Sequence, residues 1–459
     1  MYFLYSLLLG LGVLALLPRF ALDALRHGKY AAGLAERAGG LPRFDAGGRP
    51  VLWLHCVSVG ETQAARPLFD ALLAEFPRHA LVVSTTTLTG QRVAREAFRG
   101  RAALVFYFPF DWAWSVRRAL RAINPSAVLV METELWPRFL RECRRRAVPV
   151  ALVNGRVSEK SFRRYRLIGF FIRRVVRDLS LAVAQTEADA ARLVALGLAP
   201  ALVEVSGNVK FDLEAGGAHP LTGELRQRFG FDGRRPLVVA ASTHAPEERV
   251  LLAALERLAG GGATRPRLLV APRHPERFEE VASLLAASGL GWARRGAPPR
   301  ETDAAADAVL LDSIGELRAA YPFADLVFVG GSIARVGGHN VLEPALDARC
   351  VVTGPHTFNF RQIVGEFVRH GALVQLPETE NEDAAAGALA RALKDLLADG
   401  PRRRRTGERA RALLEQNRGA TARTVRLLAP IIEGVPVVGY RASGVGRRKD
   451  DLHVPTHEV

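Results

Sequence analysis

From residue 51 to about residue 430, short apolar runs alternate with longer Ala/Leu/Arg-rich segments, in two series separated by a Gly/Pro/Ala stretch at 214–222. This alternation restricts the fold severely, because strands spaced by helix-length segments build βαβ units and a parallel sheet covered on both faces. Residues 51–55, 81–84, 103–106, 127–130, 148–153, 181–184 and 202–206 read as strands of the first series. Residues 236–241, 267–271, 308–312, 326–329 and 350–354 read as strands of the second. The expected class is α/β, with two doubly wound parallel sheets joined by one linker and a cleft between the C-terminal ends of their strands. A chain of 459 residues, 49% of them hydrophobic, is long enough to give each sheet its own core.

The ends of the chain do not follow this pattern. No charged side chain occurs from Met1 to Leu17, and Arg19, Arg26, Lys29, Arg37 and Arg43 follow. A secretory signal carries its basic residues before the apolar core, so this order points to an uncleaved N-terminal anchor with the remainder in the cytoplasm. The run is at the lower limit for a span, which leaves a helix lying in the interface or packed on the fold as the competing reading. At the other end, residues 435–459 form a polar tail, of which Ser443 to Val459 is expected to be disordered. The formal charge of +16 calls for an anionic partner. Nucleic acid is disfavoured, because the arginines are interleaved with alanines and lack an aromatic stacking array. Cys56, Cys143 and Cys350 are odd in number and dissimilar in context, so no disulfide framework is expected.

The chemistry-bearing residues gather where strands end. Ser58-Val59-Gly60-Glu61-Thr62 follows the first strand and Glu132-Thr133-Glu134-Leu135-Trp136-Pro137 the fourth. Either acid cluster can complement a helix dipole or handle hydroxyl groups. Asn154-Gly155-Arg156-Val157-Ser158 precedes Lys160, Arg163, Arg164 and Arg166, where anion binding and a solvated face are both open readings. In the second series, Ser242-Thr243-His244 leads into Pro246-Glu247-Glu248, which looks like a capped helix start, and Arg273-His274 ends a strand with groups suited to a carboxylate or phosphate. Gly330-Gly331-Ser332 and Gly337-Gly338-His339-Asn340 then open a helix carrying Glu343. Glycine permits close backbone approach to a ligand, and free amides at a helix start favour phosphate. The competing reading of each Gly-Gly pair is a tight turn capped by Asn340. His244, His274 and His339 lack the spacing of a zinc site, no Walker A loop is present, and no dinucleotide fingerprint follows the first strand. No metal or cofactor is expected.

In order, the clusters at 55–61, 132–137, 154–161, 207–212, 242–248, 272–278 and 330–345 resemble the 3-deoxy-D-manno-octulosonic acid (Kdo) transferases of lipopolysaccharide synthesis, over roughly residues 1–430. Gly155 stands where that family leads one to expect Ala, Val209 where Leu is expected, and the tail is extra. The resemblance implies a GT-B architecture with a membrane anchor at 1–20, an acceptor-binding domain at 45–213 and a CMP-sugar-binding domain at 223–434. It further implies inverting transfer of Kdo from CMP-Kdo to a lipid A precursor of the lipid IVA type, at the cytoplasmic face of the anionic inner membrane. Transfer of another activated sugar to another anionic lipid is the alternative. On this reading Glu61 is the general base, and Glu132 orders the site or, with Lys210, binds the Kdo carboxylate. Ser242, Thr243, Arg273, His274, Gly331, Ser332, Gly338, His339, Asn340 and Glu343 join Lys210 in binding donor, with Glu343 on the ribose. Ser58, Gly60, Arg156 and Arg163 face the acceptor.

Overall fold

The structure is a computed structural model that describes residues 1–27, 33–42, 44–212, 219–260 and 265–435. Its contacts divide the chain into two units, Met1–Asp212 with Gly419–Val459, and Leu213–Arg418. In the first, strands β1 (Val51–Cys56), β2 (Ala80–Thr85), β3 (Leu104–Tyr107), β4 (Ala127–Met131), β5 (Val150–Gly155), β6 (Leu181–Ala184) and β7 (Val203–Val205) form one parallel sheet in the order β3-β2-β1-β4-β5-β6-β7. β1 is buried along its whole length, as a strand covered on both faces must be. Its Trp53 packs edge-on against Phe139 and donates from Nε1 to Ser84 Oγ at 2.7 Å, which satisfies its one polar atom inside the core.

The second unit repeats the plan. Strands β8 (Leu237–Thr243), β9 (Arg267–Pro272), β10 (Trp292–Arg294), β11 (Ala308–Leu310), β12 (Leu326–Val329), β13 (Cys350–Thr353) and β14 (Val374–Gln375) are parallel, in the order β10-β11-β9-β8-β12-β13-β14. The two strands that the sequence does not announce, β10 and β14, are the short edges. The strand order reverses between β1 and β4 in the first sheet and between β8 and β12 in the second, where the edge pair β10-β11 adds a further reversal. Loops leaving the carboxyl ends of strands at such a switch point form a crevice, and that is where open parallel sheets bind ligands.

One expectation needs correction and another is left unconfirmed. The second domain does not run to residue 434, because the basic segment breaks after the helix Gly400–Gln416 at Gly419, which adopts φ 83. The next helix, Ala420–Ile432, returns to the first unit, where Val425, Leu428, Ile431 and Ile432 join the core of Leu68, Leu72 and Phe69. Asp212 fixes the return by accepting from the Gly419 amide at 2.6 Å and from the Thr421 amide. It thereby supplies a carboxylate to the start of that helix.

The other concerns the N-terminus. It forms the helix Tyr2–His27, but among the described residues no helix is long and apolar enough to cross a membrane. One face of this helix is docked on the first unit. Tyr2 donates to Asp178 at 2.8 Å, Tyr5 to Asp111 at 2.9 Å, and Arg138 to Ser6 Oγ at 2.8 Å, while both tyrosine rings lie against Phe171. Phe3, Leu4, Leu7, Leu8, Leu11 and Leu14 are exposed. Most of the expected linker and nearly all of the polar tail lie outside the described residues.

Candidate active site

The switch point of the first unit gathers acids. Ser58 caps the helix Val59–Ala64 that follows β1, and Glu61 lies one turn in, 8% exposed. Its carboxylate accepts from the Val57 amide at 2.8 Å and from the Ser58 hydroxyl at 3.0 Å. This is close to a capping box, so the structural reading of the acid is partly realised. Burial nevertheless pushes Glu61 up to about 7, against the pull of the Val57 N–H and with help from the charges of Glu132 and Glu134. A carboxyl group poised near neutrality is what proton abstraction at physiological pH requires.

After β4, Glu132 adopts φ 54, a left-handed conformation that costs a non-glycine residue free energy and is concentrated at functional sites. Its carboxylate accepts from Lys210 Nζ at 2.8 Å. Glu134 has no such ion pair among the described residues and is also pushed up to about 7, by burial first and by Glu132 second. Thr133 Oγ1 accepts from the Arg156 amide at 3.0 Å, and Asn154 Oδ1 from the Val209 amide at 3.1 Å. The loops after β4, β5 and β7 are thus stitched together around these acids. Arg156 Nε is buried without a hydrogen-bond partner among the described residues. Arg163 instead stands exposed on the helix Glu159–Leu167, paired with Glu159 one turn away. Lys210, expected at the donor, sits in the first unit with Glu132.

The switch point of the second unit brings together most of the residues expected to meet donor. Ser242, at φ 53, and buried Thr243 end β8, and Thr243 Oγ1 has no partner among the described residues. His244 follows, with its Nε2 2.8 Å from His339 Nε2, the two rings stacked, and His274 edge-on to the first. Burial and the nearby groups His244, Arg273 and His274 push His339 down to about 4, so its ring is neutral near pH 7 and one of the two facing Nε2 atoms donates to the other. Arg273 is exposed at the end of β9 and donates its amide to the Thr243 carbonyl at 3.0 Å. Asn340 accepts from the Leu342 amide at 3.0 Å and donates to Glu343 at 3.1 Å. Glu343 is raised by burial and drawn back by Asn340, Arg318 and Arg273. Gly331 and Gly338 both have positive φ, and a Cβ at Gly331 would lie 2.9 Å from the His339 ring.

Ser332 differs from its neighbours. It is fully buried, its hydroxyl donates to the Val329 carbonyl at 2.6 Å and accepts from the Gly354 amide at 2.8 Å, and its own amide is taken by Glu247. Glu247, which reads in sequence as an ordinary acid in the first turn of a helix, is the residue that sequence reasoning missed. Glu134 is the other, and its signal was present as the second acid of Glu132-Thr133-Glu134. No group of three or more His, Cys, Asp or Glu side chains among the described residues is placed to hold a metal ion.

Comparison with known proteins shows the family of the chain. Residues 32–213 match the family model described as 3-Deoxy-D-manno-octulosonic-acid transferase (kdotransferase). The chain is 34% identical over 440 residues to the 3-deoxy-D-manno-octulosonic acid transferase of Haemophilus influenzae, covering 94% of this chain and 99% of that one. It is 38% identical over 386 residues to the protein of the same name from Bordetella pertussis, covering 82% and 86%. Among solved structures, a putative UDP-N-acetylglucosamine 2-epimerase from Listeria monocytogenes matches 84% of this chain and 97% of its own, with a TM-score of 0.54 at 15% identity. That likeness is one of fold, two parallel-sheet α/β units on the GT-B plan.

Proposed function

From the chain's membership of the 3-deoxy-D-manno-octulosonic acid (Kdo) transferase family, glycosyltransferases of lipopolysaccharide synthesis, we propose that it transfers Kdo from CMP-Kdo to a lipid A precursor of the lipid IVA type with inversion. The observation that carries the chemistry is Glu61, a buried acid held near neutrality at the switch point of the first unit. In one displacement, an acceptor hydroxyl gives its proton to Glu61 as its oxygen bonds to the anomeric carbon of Kdo. The bond from that carbon to the phosphate oxygen breaks, and the electron pair leaves with CMP. On this reading Ser58 and Gly60, next to the base, and Arg156, held at Thr133, face the acceptor, and Glu132 with Lys210 orders that pocket.

The second unit holds the donor. Arg273 supplies a charge-assisted contact to the single phosphate, Glu343 accepts from ribose hydroxyls, and Ser242, Thr243, His274, Gly331, Gly338, His339 and Asn340 complete the lining. Ser332 contributes through the frame of its loop, since its polar atoms are bonded within the protein. A monophosphate leaves with less charge than a diphosphate would, and on this reading these groups receive it without a bridging metal.

The same reading puts the protein on the cytoplasmic side of the inner membrane, attached by the helix Tyr2–His27. Docking of Tyr2, Tyr5 and Ser6 on the first unit, with Phe3, Leu4, Leu7, Leu8, Leu11 and Leu14 exposed, supports a helix lying in the interface over one that spans. The deciding experiment incubates the protein with CMP-Kdo and a tetraacylated disaccharide bisphosphate and reads the lipid by mass spectrometry. A product heavier by Kdo is expected; product formation with another activated sugar but not with CMP-Kdo would overturn the assignment.

A further inference from the structure

Among the described residues of the second unit, Glu247 is the one acid whose charge faces no cation and no solvent, the other buried acids, Glu248 and Asp303, being paired with Arg277 and Arg228. It is fully buried at the start of the helix Glu247–Gly260. Its Oε1 accepts from the amides of Ser332 at 2.8 Å, Ile333 at 2.8 Å and Ala334 at 3.2 Å. Its Oε2 accepts from the amides of His244 at 2.9 Å and Gly331 at 2.8 Å. Consecutive amides converging on one point form a nest suited to an anion, the arrangement a glycine-rich loop commonly offers to a phosphate. Here the nest is filled from within, by a side chain 84 or more residues away in sequence.

The bonds extend from the carboxylate into the donor site. Gly331, held through its amide, accepts through its carbonyl from the amides of Gly337 at 3.0 Å and Gly338 at 2.7 Å, and the chain continues at once into His339, Asn340 and Glu343. His244, held through its amide, meets His339 again through the 2.8 Å contact between their rings. A closed circuit therefore runs from Glu247 through both switch-point loops and back. Gly331 must remain glycine for this, since its φ is 66 and a Cβ would strike the His339 ring.

We propose that Glu247 is a positioning residue for the sugar-nucleotide donor, an internal carboxylate that occupies the amide nest after β12 and thereby sets the spacing of Gly331, Gly338, His339 and Asn340. The donor phosphate is consequently not received by the 331–334 amides, which are already taken. It must be met by Arg273 and by the groups at 338–340. The inference rests on the Kdo-transfer reading for the identity of the donor.

Glu247→Gln tests it. The amide keeps the shape, but whichever way it is turned its NH2 faces at least two N–H donors, so two or three of the five bonds are lost. CMP affinity measured by calorimetry and the KM for CMP-Kdo are expected to weaken by about tenfold or more, with KM for the lipid acceptor unchanged within about twofold. Glu247→Asp, which keeps the charge on a shorter arm, should recover part of the loss. Gly331→Ala, which disturbs the same circuit from the other end, should give the same donor-selective pattern and serves in place of Glu247→Gln if that variant cannot be recovered folded. Unchanged CMP affinity and donor KM in a folded Glu247→Gln protein, or in Gly331→Ala, would overturn the proposal, as would a loss confined to acceptor KM. Failure of the wild-type protein to use CMP-Kdo at all would instead overturn the functional reading, while CMP calorimetry on the variants would still report on Glu247.

Discussion

Replacing Glu61 by Gln should abolish most transfer and at the same time make the folded protein more stable above neutral pH. The side chain amide can still accept from the Val57 amide and donate to the Ser58 hydroxyl, so the local bonds survive the exchange. What disappears is a proton acceptor, and loss of a positioned base costs about 10²- to 10⁴-fold in rate. The stability effect follows from the same burial. Glu61 is held at about 7 when folded against an ordinary value of 4.5, so between these pH values the native state binds more protons than the unfolded chain. Stability attributable to this group therefore falls as pH rises from 4.5 through about 7 and stays low above it. The shift corresponds to a ceiling of about 3 kcal/mol, and about 1 to 2 kcal/mol is the expected gain for the Gln variant at pH 8, since Glu134 titrates in the same range and shares the effect. Transfer rates and unfolding transitions of both proteins at pH 5 and pH 8 provide the assay. Turnover within about threefold of wild type would remove Glu61 from the mechanism. A variant no more stable than wild type at pH 8, relative to pH 5, would show that the carboxyl group is not held near neutrality.

Several other outcomes bear on the site. The wild-type kcat/KM should rise with pH through about 7 as Glu61 ionises, and Lys210→Met, which leaves the charge of Glu132 uncompensated, should move that rise to higher pH by up to about one unit. A pH–rate profile that Lys210→Met does not displace would refute the coupling. Arg273→Ala should lower kcat/KM for CMP-Kdo by roughly 10- to 150-fold with every acceptor tested, the equivalent of one charge-assisted contact, while excess EDTA leaves the wild-type rate nearly unchanged. Loss of turnover in EDTA and its return with magnesium or manganese would assign the phosphate to a metal. Leu8→Asp with Leu11→Asp should weaken sedimentation with anionic vesicles by at least about tenfold, because each leucine contributes about 1.5 to 3 kcal/mol when buried. The rate on detergent-dispersed acceptor should hold; undiminished vesicle binding would place the attachment elsewhere.

The parts of the fold legible in the sequence are those whose signal is local. Runs such as Leu326-Val327-Phe328-Val329 announce buried strands, whereas β10 and β14, with three and two residues at the sheet edges, are too short to show a period. The return of the chain at Gly419 is masked because helical composition continues on both sides of it, and only the contact with Asp212, 207 residues earlier, reveals where the second helix belongs. At the N-terminus, hydropathy counts apolar residues without showing that Tyr2, Tyr5 and Ser6 are bonded to the protein. Within the site, the acids and glycines at strand ends could be read one cluster at a time. Glu247 could not, since its meaning lies in amides more than eighty residues away, and an acid in a first helical turn has an adequate local explanation already.

The charge of the chain and the charge of its first switch point have opposite signs, and this divides the handling of the proposed acceptor. Excess positive charge on the molecule, +16 overall, attracts a phosphorylated lipid and the surface that carries it, and the exposed Lys160, Arg163, Arg164 and Arg166 are placed to contribute. Glu61, Glu132 and Glu134 would repel those phosphates if all three were ionised. Lys210 compensates one of them, and burial holds the other two near neutrality, so each is only part-charged at pH 7. A hydroxyl can therefore approach this pocket while the phosphates remain with the arginines. On this account a rise in salt should weaken acceptor binding through the basic surface, with KM for the lipid increasing and kcat changing little, because the proton transfer to Glu61 takes place in a buried pocket that salt screens weakly. A kcat that fell in step with the loss of acceptor binding would show that the acids and the basic surface act as one site, and the division of labour would have to be abandoned.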